Sequence, residues 1–450
     1  MSGRQSDGEV EIGSARWPIK WDTANPLWDS CRLIGMDTPT ADARVELKFW
    51  DADQSLADDK DDLIGVAQCT IGQFTNATTV LELPIALTKR SKISAEKSRA
   101  TANGDEPCKP YCIVSRRSLS GLPSKKVVYA VRHGESVWNK AQADKDVMAM
   151  LSAVDHPLNA AGKAQAEGLR DAIAAGVEIG SDDAKALLAV DAVWCSPLTR
   201  AVQTCLIGMS PVLEHTLAAG GGSQPLLRTR TTGDGLAAAL PFVSHVDWPQ
   251  GTRPFISYAD GWPQTTPTTL TGSSNRSTIG PSVVHLNPNL REKRNFGGKD
   301  SSGKWCGVAL ADGVRRQLAE LYEGDVDTAR RLNALPLGLE HVQDQWWLGS
   351  KESEQAVGQR IDELLAQVRF SPHESIVLVG HSHYFREVCR RCRAKGCDMT
   401  DAAGRAISVS DVEAKKLSNG GIARMELDWS GGEATPVTSF RLLFGTKLVK

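Results

Sequence analysis

Three apolar runs in this chain end in residues that can do chemistry. Val127-Val128-Tyr129-Ala130-Val131 leads into Arg132-His133-Gly134-Glu135-Ser136 and then Val137-Trp138-Asn139. Leu187 to Trp194 leads into Cys195-Ser196-Pro197-Leu198-Thr199-Arg200. Ile376-Val377-Leu378-Val379-Gly380 leads into His381-Ser382. A neutral imidazole is a competent nucleophile near neutral pH, because an unperturbed histidine titrates near ~6.5. Guanidinium groups offer forked donors to anionic oxygens. A nucleophile held in line, with cations on the equatorial oxygens, is what transfer of a phosphoryl group requires.

The elements that must hold these residues follow from pattern. A short apolar run reads as a buried strand. The first breaks at Gly134, and Ser136 suits the cap of a following helix. Arg132 and His133 therefore sit where a strand ends, the edge at which open α/β sheets keep their ligands. Ser196 as N-cap and Pro197 at the first helical position would start a helix with Arg200 in its first turn, where free amides favour an anion. Asn159 suits the cap of the Ala-rich helix that follows Asp155-His156-Pro157-Leu158. Val283 to Leu286 is a further strand, followed by Asn289-Leu290-Arg291-Glu292. Ile361, Leu364, Leu365 and Val368 form a helical core stripe. After another helical stretch, Gly420 to Trp429 and Thr438 to Phe444 read as closing strands.

The block Arg132-His133-Gly134-Glu135-Ser136-x-Trp138-Asn139 resembles the opening motif of the histidine phosphatase superfamily, the phosphoglycerate-mutase-like proteins. Asp155 to Gly162 is similar to the family's second block, and Ser196-x-x-x-Arg200-x-x-x-Thr204 to its third. Gly380-His381-Ser382 is similar to its last, and Glu292 matches the proton donor that follows a Leu-Arg step. The resemblance covers about residues 125–447. It implies an α/β three-layer sandwich with a central, mostly parallel sheet. It also implies a phosphomonoester hydrolase in which His133 becomes a phosphohistidine. Arg132 and Arg200 would hold the phosphoryl oxygens, and His381 would add a donor and charge in the transition state. Glu292 would protonate the leaving oxygen, and Ser136 and Asn139 would complete the phosphate cradle. No metal and no cofactor are implied, since arginines neutralise the charge.

The glycine after Glu292 comes one residue later than in the family, at Gly297. Leu290-Arg291-Glu292-Lys293-Arg294-Asn295-Phe296-Gly297 stands where cofactor-dependent mutases carry Asn-Glu-Arg-His-Tyr-Gly. That difference favours a phosphatase acting on a small phosphorylated substrate over a phosphoglycerate-type phosphomutase. A reading of another class is a membrane- or protein-binding scaffold with an inactive phosphatase fold. Loss of His133, His381, Arg132 or Arg200 would favour it, and all four are present.

At 450 residues with 41% hydrophobic and 24% charged residues, the chain has the composition of a globular protein of two domains. A net charge of −2 argues against a general nucleic-acid binder. The polar N-terminus is no signal peptide, and no apolar run reaches membrane-spanning length, so the expected location is cytoplasmic, with peripheral membrane contact as an extension. The ten cysteines then read as reduced thiols. Cys389, Cys392 and Cys397 include one CxxC without a second pair at zinc spacing, and read as half-buried thiols.

Residues 1–118 read as a β unit. Val45 to Trp50 alternates apolar and charged, as does Val80 to Leu83. Asn25-Pro26-Leu27-Trp28, Trp50-Asp51-x-Asp53 and Asp62-Leu63-Ile64-Gly65 resemble a C2 domain, a β-sandwich, here truncated at its start. The resemblance implies that Asp51, Asp53 and Asp62 are carboxylates of a calcium loop touching lipid. The first calcium loop is missing and the second is long, so a solvated acidic loop is the competing reading. Residues 119–124 are a linker after a basic run, Lys89 to Arg99, that reads as solvated or as lying on anionic lipid. Residues 125–450 form the second domain, with a Gly-, Ser-, Thr- and Pro-rich insertion at about 218–280 that could cover a pocket.

Overall fold

The computed structural model describes residues 41–51, 62–74, 80–87, 111–115, 123–151, 153–219, 283–293, 299–347, 351–430 and 435–449. The N-terminal alternating runs form strands as expected: β1 (Arg44–Asp51), β2 (Asp62–Thr70), β3 (Val80–Pro84), β4 (Ala86–Leu87) and β5 (Tyr111–Ser115). β1, β2 and β4 make one antiparallel sheet, while β3 and β5 pair separately. The backbones of Asp51 and Asp62 face each other across β1 and β2. Asp53 lies outside the described residues, as do the basic run, residues 119–122 of the linker and residues 220–280 of the insertion.

From residue 125 the chain alternates strand and helix. In order come β6 (Lys125–Arg132), α1 (Val137–Asp144), α2 (Val147–Leu151), α3 (Ala160–Glu178), α4 (Asp182–Leu188), β7 (Ala192–Cys195), α5 (Thr199–Gly208) and α6 (Ser210–Ala219). Next are β8 (Val284–Leu286), α7 (Gly307–Leu321), α8 (Val326–Asn333), β9 (Leu337–Gly338), α9 (Glu354–Phe370), β10 (Ser375–Gly380) and α10 (Ser382–Cys392). The last are β11 (Arg393–Thr400), α11 (Val409–Ala414), β12 (Lys416–Leu417), β13 (Ile422–Asp428), β14 (Val437–Leu443) and β15 (Leu448–Val449).

The main sheet has the order β11-β14-β13-β6-β10-β7-β8-β9. Only β13 runs against its neighbours, so the sheet is mostly parallel. Both faces are covered, which is why its strands read as continuous apolar runs. Along β6, Tyr129 and Val131 point into one core with α3, α5 and α7. Val128 and Ala130 point into the other, with α9 and α10. The result is a three-layer sandwich. Cys389 and Cys392 are buried in the second core, and burial pushes both thiols up to about 12. Among the described residues, no helix is long and apolar enough to cross a membrane.

Two elements differ from expectation. Leu187 and Leu188 close α4, and the strand begins only at Ala192. Short apolar runs do not distinguish strand from buried helix, and Asp182 and Asp183 in the first turn of α4 were the helical signal. β11 falls in the stretch read as helix. It is a polar edge strand with a register shift between Arg393 and Asp398, and so lacks clean alternation.

Candidate active site

Parallel register assembles the site. Gly380 of β10 pairs with Arg132 of β6, so the next residues, His133 and His381, emerge side by side with ring centroids 4.9 Å apart. Val379 pairs with Cys195, which sets Ser196 beside His381 on the other flank. The pairing continues past the strand ends: His133 N–H donates to Gly380 O at 3.0 Å and Ser196 N–H to Val379 O at 2.8 Å. All these residues lie at the carboxyl edge of the sheet.

The turn after His133 is held by close packing. A Cβ on Gly134 would stand 2.5 Å from Gly162 O, and one on Gly162 would stand 2.0 Å from Glu135 O. Only glycine permits this approach of the loop to the start of α3. Gly134 N–H donates to the Thr204 hydroxyl at 2.9 Å. Asn159 caps α3 as expected, accepting from Gly162 N–H at 2.8 Å.

His133 is buried, and its Nδ1 lies 2.6 Å from Gly134 O. A carbonyl only accepts, so the proton sits on Nδ1 and the lone pair on Nε2. Arg200 Nε donates to that Nε2 at 3.3 Å. Burial, then the charges of Arg200 and Arg132, holds the imidazole well below its ordinary range, which keeps it neutral. His381 has the opposite tautomer. Its Nδ1 faces Arg200 Nη2 at 3.5 Å, so its Nε2 carries the proton and donates to Ser196 Oγ at 2.8 Å. Burial, Arg200 and His133 hold it low as well.

Arg200 stands at the second position of α5, in the first turn as expected. The helix begins at Thr199, not at Pro197. Its cap comes from far away in sequence: Asp155 Oδ1 accepts Thr199 N–H at 2.8 Å and Oδ2 accepts the Thr199 hydroxyl at 2.7 Å. Ser196, expected as the cap, instead serves His381. Asp155 adopts a left-handed backbone, φ 55°. Arg200 Nη1 donates to Asp300 O at 2.6 Å, and Nη2 lies 3.8 Å from Asp300 Oδ2.

Glu292 is buried near the arginines, and burial raises its carboxyl despite an amide donor, Lys293 N–H at 2.9 Å. Its loop is clamped by Arg360. That side chain donates to Asn289 O and Arg291 O at 2.9 and 2.8 Å, and forks onto Glu352 at 2.9 and 2.8 Å. Arg132 donates through Nη1 to Leu417 O, while its buried Nε has no hydrogen-bond partner among the described residues. Burial brings its guanidinium down to about 10.

A cavity of about 380 Å³ joins Arg132, His133, Arg200, Glu292 and Asn139. His381 lies directly behind, against His133. Ser136, expected in the cradle, does not line this cavity. It is fully buried as the N-cap of α1, accepting from Asn139 N–H at 3.2 Å while donating through Oγ to Asn139 Oδ1 at 3.0 Å. It positions Asn139 instead. Asp300 and Lys416 also line the cavity and were not foreseen. They are single polar residues in aperiodic segments, and nothing local marks them.

Residues 128–212 match the histidine phosphatase superfamily, branch 1. The match is to a histidine phosphatase superfamily domain over these residues alone. The matched span contains Arg132, His133, Asp155, Ser196 and Arg200. Solved structures similar to this chain include the α-ribazole phosphatase from Shigella flexneri, at 16% identity, covering 69% of this chain and 95% of that one, TM-score 0.28. Another is a mycobacterial glucosyl-3-phosphoglycerate phosphatase, at 16% identity, covering 71% and 97%, TM-score 0.26. A third is mycobacterial hydrolase 1, at 16% identity, covering 71% and 96%, TM-score 0.28. No curated protein matches the chain.

Proposed function

We propose that this histidine phosphatase domain hydrolyses phosphomonoesters through a phosphohistidine on His133, without a metal. The observation that carries the reading is the His133 tautomer. A proton fixed on Nδ1 by Gly134 O leaves the Nε2 lone pair beside Arg200 in the cavity.

In the proposed first step, Nε2 attacks phosphorus as the ester P–O bond breaks. The ring becomes cationic, and Gly134 O stabilises it through the Nδ1–H bond. Arg132 and Arg200 take the equatorial oxygens. Glu292, whose carboxyl is raised by burial, gives its proton to the leaving oxygen. In the second step its carboxylate takes a proton from water as the water oxygen attacks phosphorus and the P–N bond breaks. Inorganic phosphate leaves and His133 returns neutral. His381 is neutral at rest, and an arriving phosphate dianion would favour a proton on its Nδ1.

The test is hydrolysis of an aryl phosphate by wild type and His133→Ala, with chelator present. The expected result is turnover that survives chelation and falls on the order of 10³-fold or more in the variant. Denaturation at alkaline pH, where the acid-labile P–N bond survives, should trap phosphate on wild type only. Delivery of phosphate to a phosphorylated acid rather than to water would point to a mutase. Complete inertness toward phosphoesters would sink the catalytic reading and favour the scaffold. Lipid contact by the C2-like strands is a separate proposal, tested by liposome sedimentation with and without calcium.

A further inference from the structure

The cavity has two unlike sides. Its floor is charged, with Arg132, Arg200, Glu292 and Asp300 around His133. A second group is mostly apolar: Trp138 of α1 with Val147, Met150 and Leu151 of α2, Gln142 of α1 being its polar member. The sequence of α2, Val-Met-Ala-Met-Leu, contains no polar side chain. Val147 is 60% exposed and Leu151 48% exposed, so these lining residues leave apolar surface to water.

This mostly apolar wall is anchored to the catalytic floor. Lys299 Nζ donates to Leu151 O at 2.9 Å, one residue before Asp300. His156 Nε2 lies 3.3 Å from Met150 O, and the same ring meets Trp138 at 5.5 Å between centroids. Asp146 Oδ1 accepts Ala149 N–H at 2.9 Å at the start of α2. A phosphate on the arginines therefore has one fixed apolar surface beside it.

We propose that this wall is the leaving-group subsite, and that it selects phosphomonoesters of alcohols with an aliphatic or aromatic body over those of sugars. The inference rests on the phosphatase reading of the same cavity. Water left on an apolar wall is released when an alkyl or aryl group covers it. A hydroxylated sugar there would lose hydrogen bonds to water without gaining partners from Val147, Met150 or Leu151.

The experiment is a series of primary alkyl phosphates from methyl to hexyl, with glucose 6-phosphate as the polar comparison, on wild type, Met150→Gln and Val147→Thr. Each methylene that covers the wall should raise kcat/KM about fourfold until the length of α2 is spanned. The gain should appear in KM with kcat nearly flat, because ground and transition states use the wall equally. Both substitutions keep size and helix compatibility, and each should lower the chain-length slope below about twofold per methylene. A flat series on wild type, preference for the sugar phosphate, or an unchanged slope in both variants would overturn the leaving-group assignment and leave the hydrolase standing. Failure of wild type to turn over any ester would instead overturn the hydrolase reading itself, and the subsite with it.

Discussion

Asp155 is only 2% exposed and holds the start of α5, and hence Arg200, through two bonds from Thr199. Burial pushes its carboxyl up to about 6, against the pull of those bonds and of Arg200. Between the unfolded value near ~3.9 and the folded value, the folded chain binds the extra proton, so this group adds stability as pH falls and removes it as pH rises. Two units of separation correspond to about 3 kcal/mol. Asparagine tolerates the left-handed backbone and keeps an oxygen for Thr199 N–H. Its amide can donate to the Thr199 hydroxyl, which also accepts. The stability of Asp155→Asn relative to wild type should therefore rise by about 2 kcal/mol between pH 4 and pH 7. Urea unfolding of both proteins at pH 4, 5, 6 and 7 measures this, because all other titrations cancel in the difference. A difference constant to within about 0.5 kcal/mol across that range would refute the reasoning. It would mean that the Thr199 bonds fully offset burial and that the carboxyl titrates normally.

Four further outcomes are expected. The pH profile of kcat/KM on an alkyl phosphate should hold well below 6.5 on the acid side, since His133 stays neutral there, and should fall as pH rises through the raised Glu292 value. Asp300 helps raise Glu292, so Asp300→Asn should move that alkaline limb to lower pH; a limb that stays put belongs to another group. Thr204→Val removes the acceptor for Gly134 N–H and should cost about 1–3 kcal/mol in urea unfolding, with Thr204→Ser restoring most of it. Glu352→Ala strands the buried Arg360 and Arg291 together and should cost about 3–5 kcal/mol; a loss below about 1 kcal/mol rejects the clamp.

What the sequence made legible follows from what local pattern can encode. Strand ends are local: an apolar run closed by glycine marks where β6 and β10 stop, and parallel pairing then brings His133 and His381 together without further information. The cap of α5 is not local. Ser196 and Pro197 look like a helix start, but Asp155, 44 residues upstream of Thr199, supplies the carboxylate, and no window of sequence contains both. Arg360 and Glu352 were hidden for another reason. Charged residues around an amphipathic helix usually face water, and only the return of the 289–291 loop over α9 buries this pair. The same distinction separates the two serines. Ser136 acts on its own helix, three residues from Asn139, so its capping was readable, while Ser196 acts on His381, 185 residues away. The tautomers complete the argument. Gly134 is adjacent to His133, so the proton on Nδ1 is set by local geometry once the strand ends there. The proton on His381 is set by Ser196 and Arg200 across the sheet edge, so its opposite polarity exists only in the folded chain.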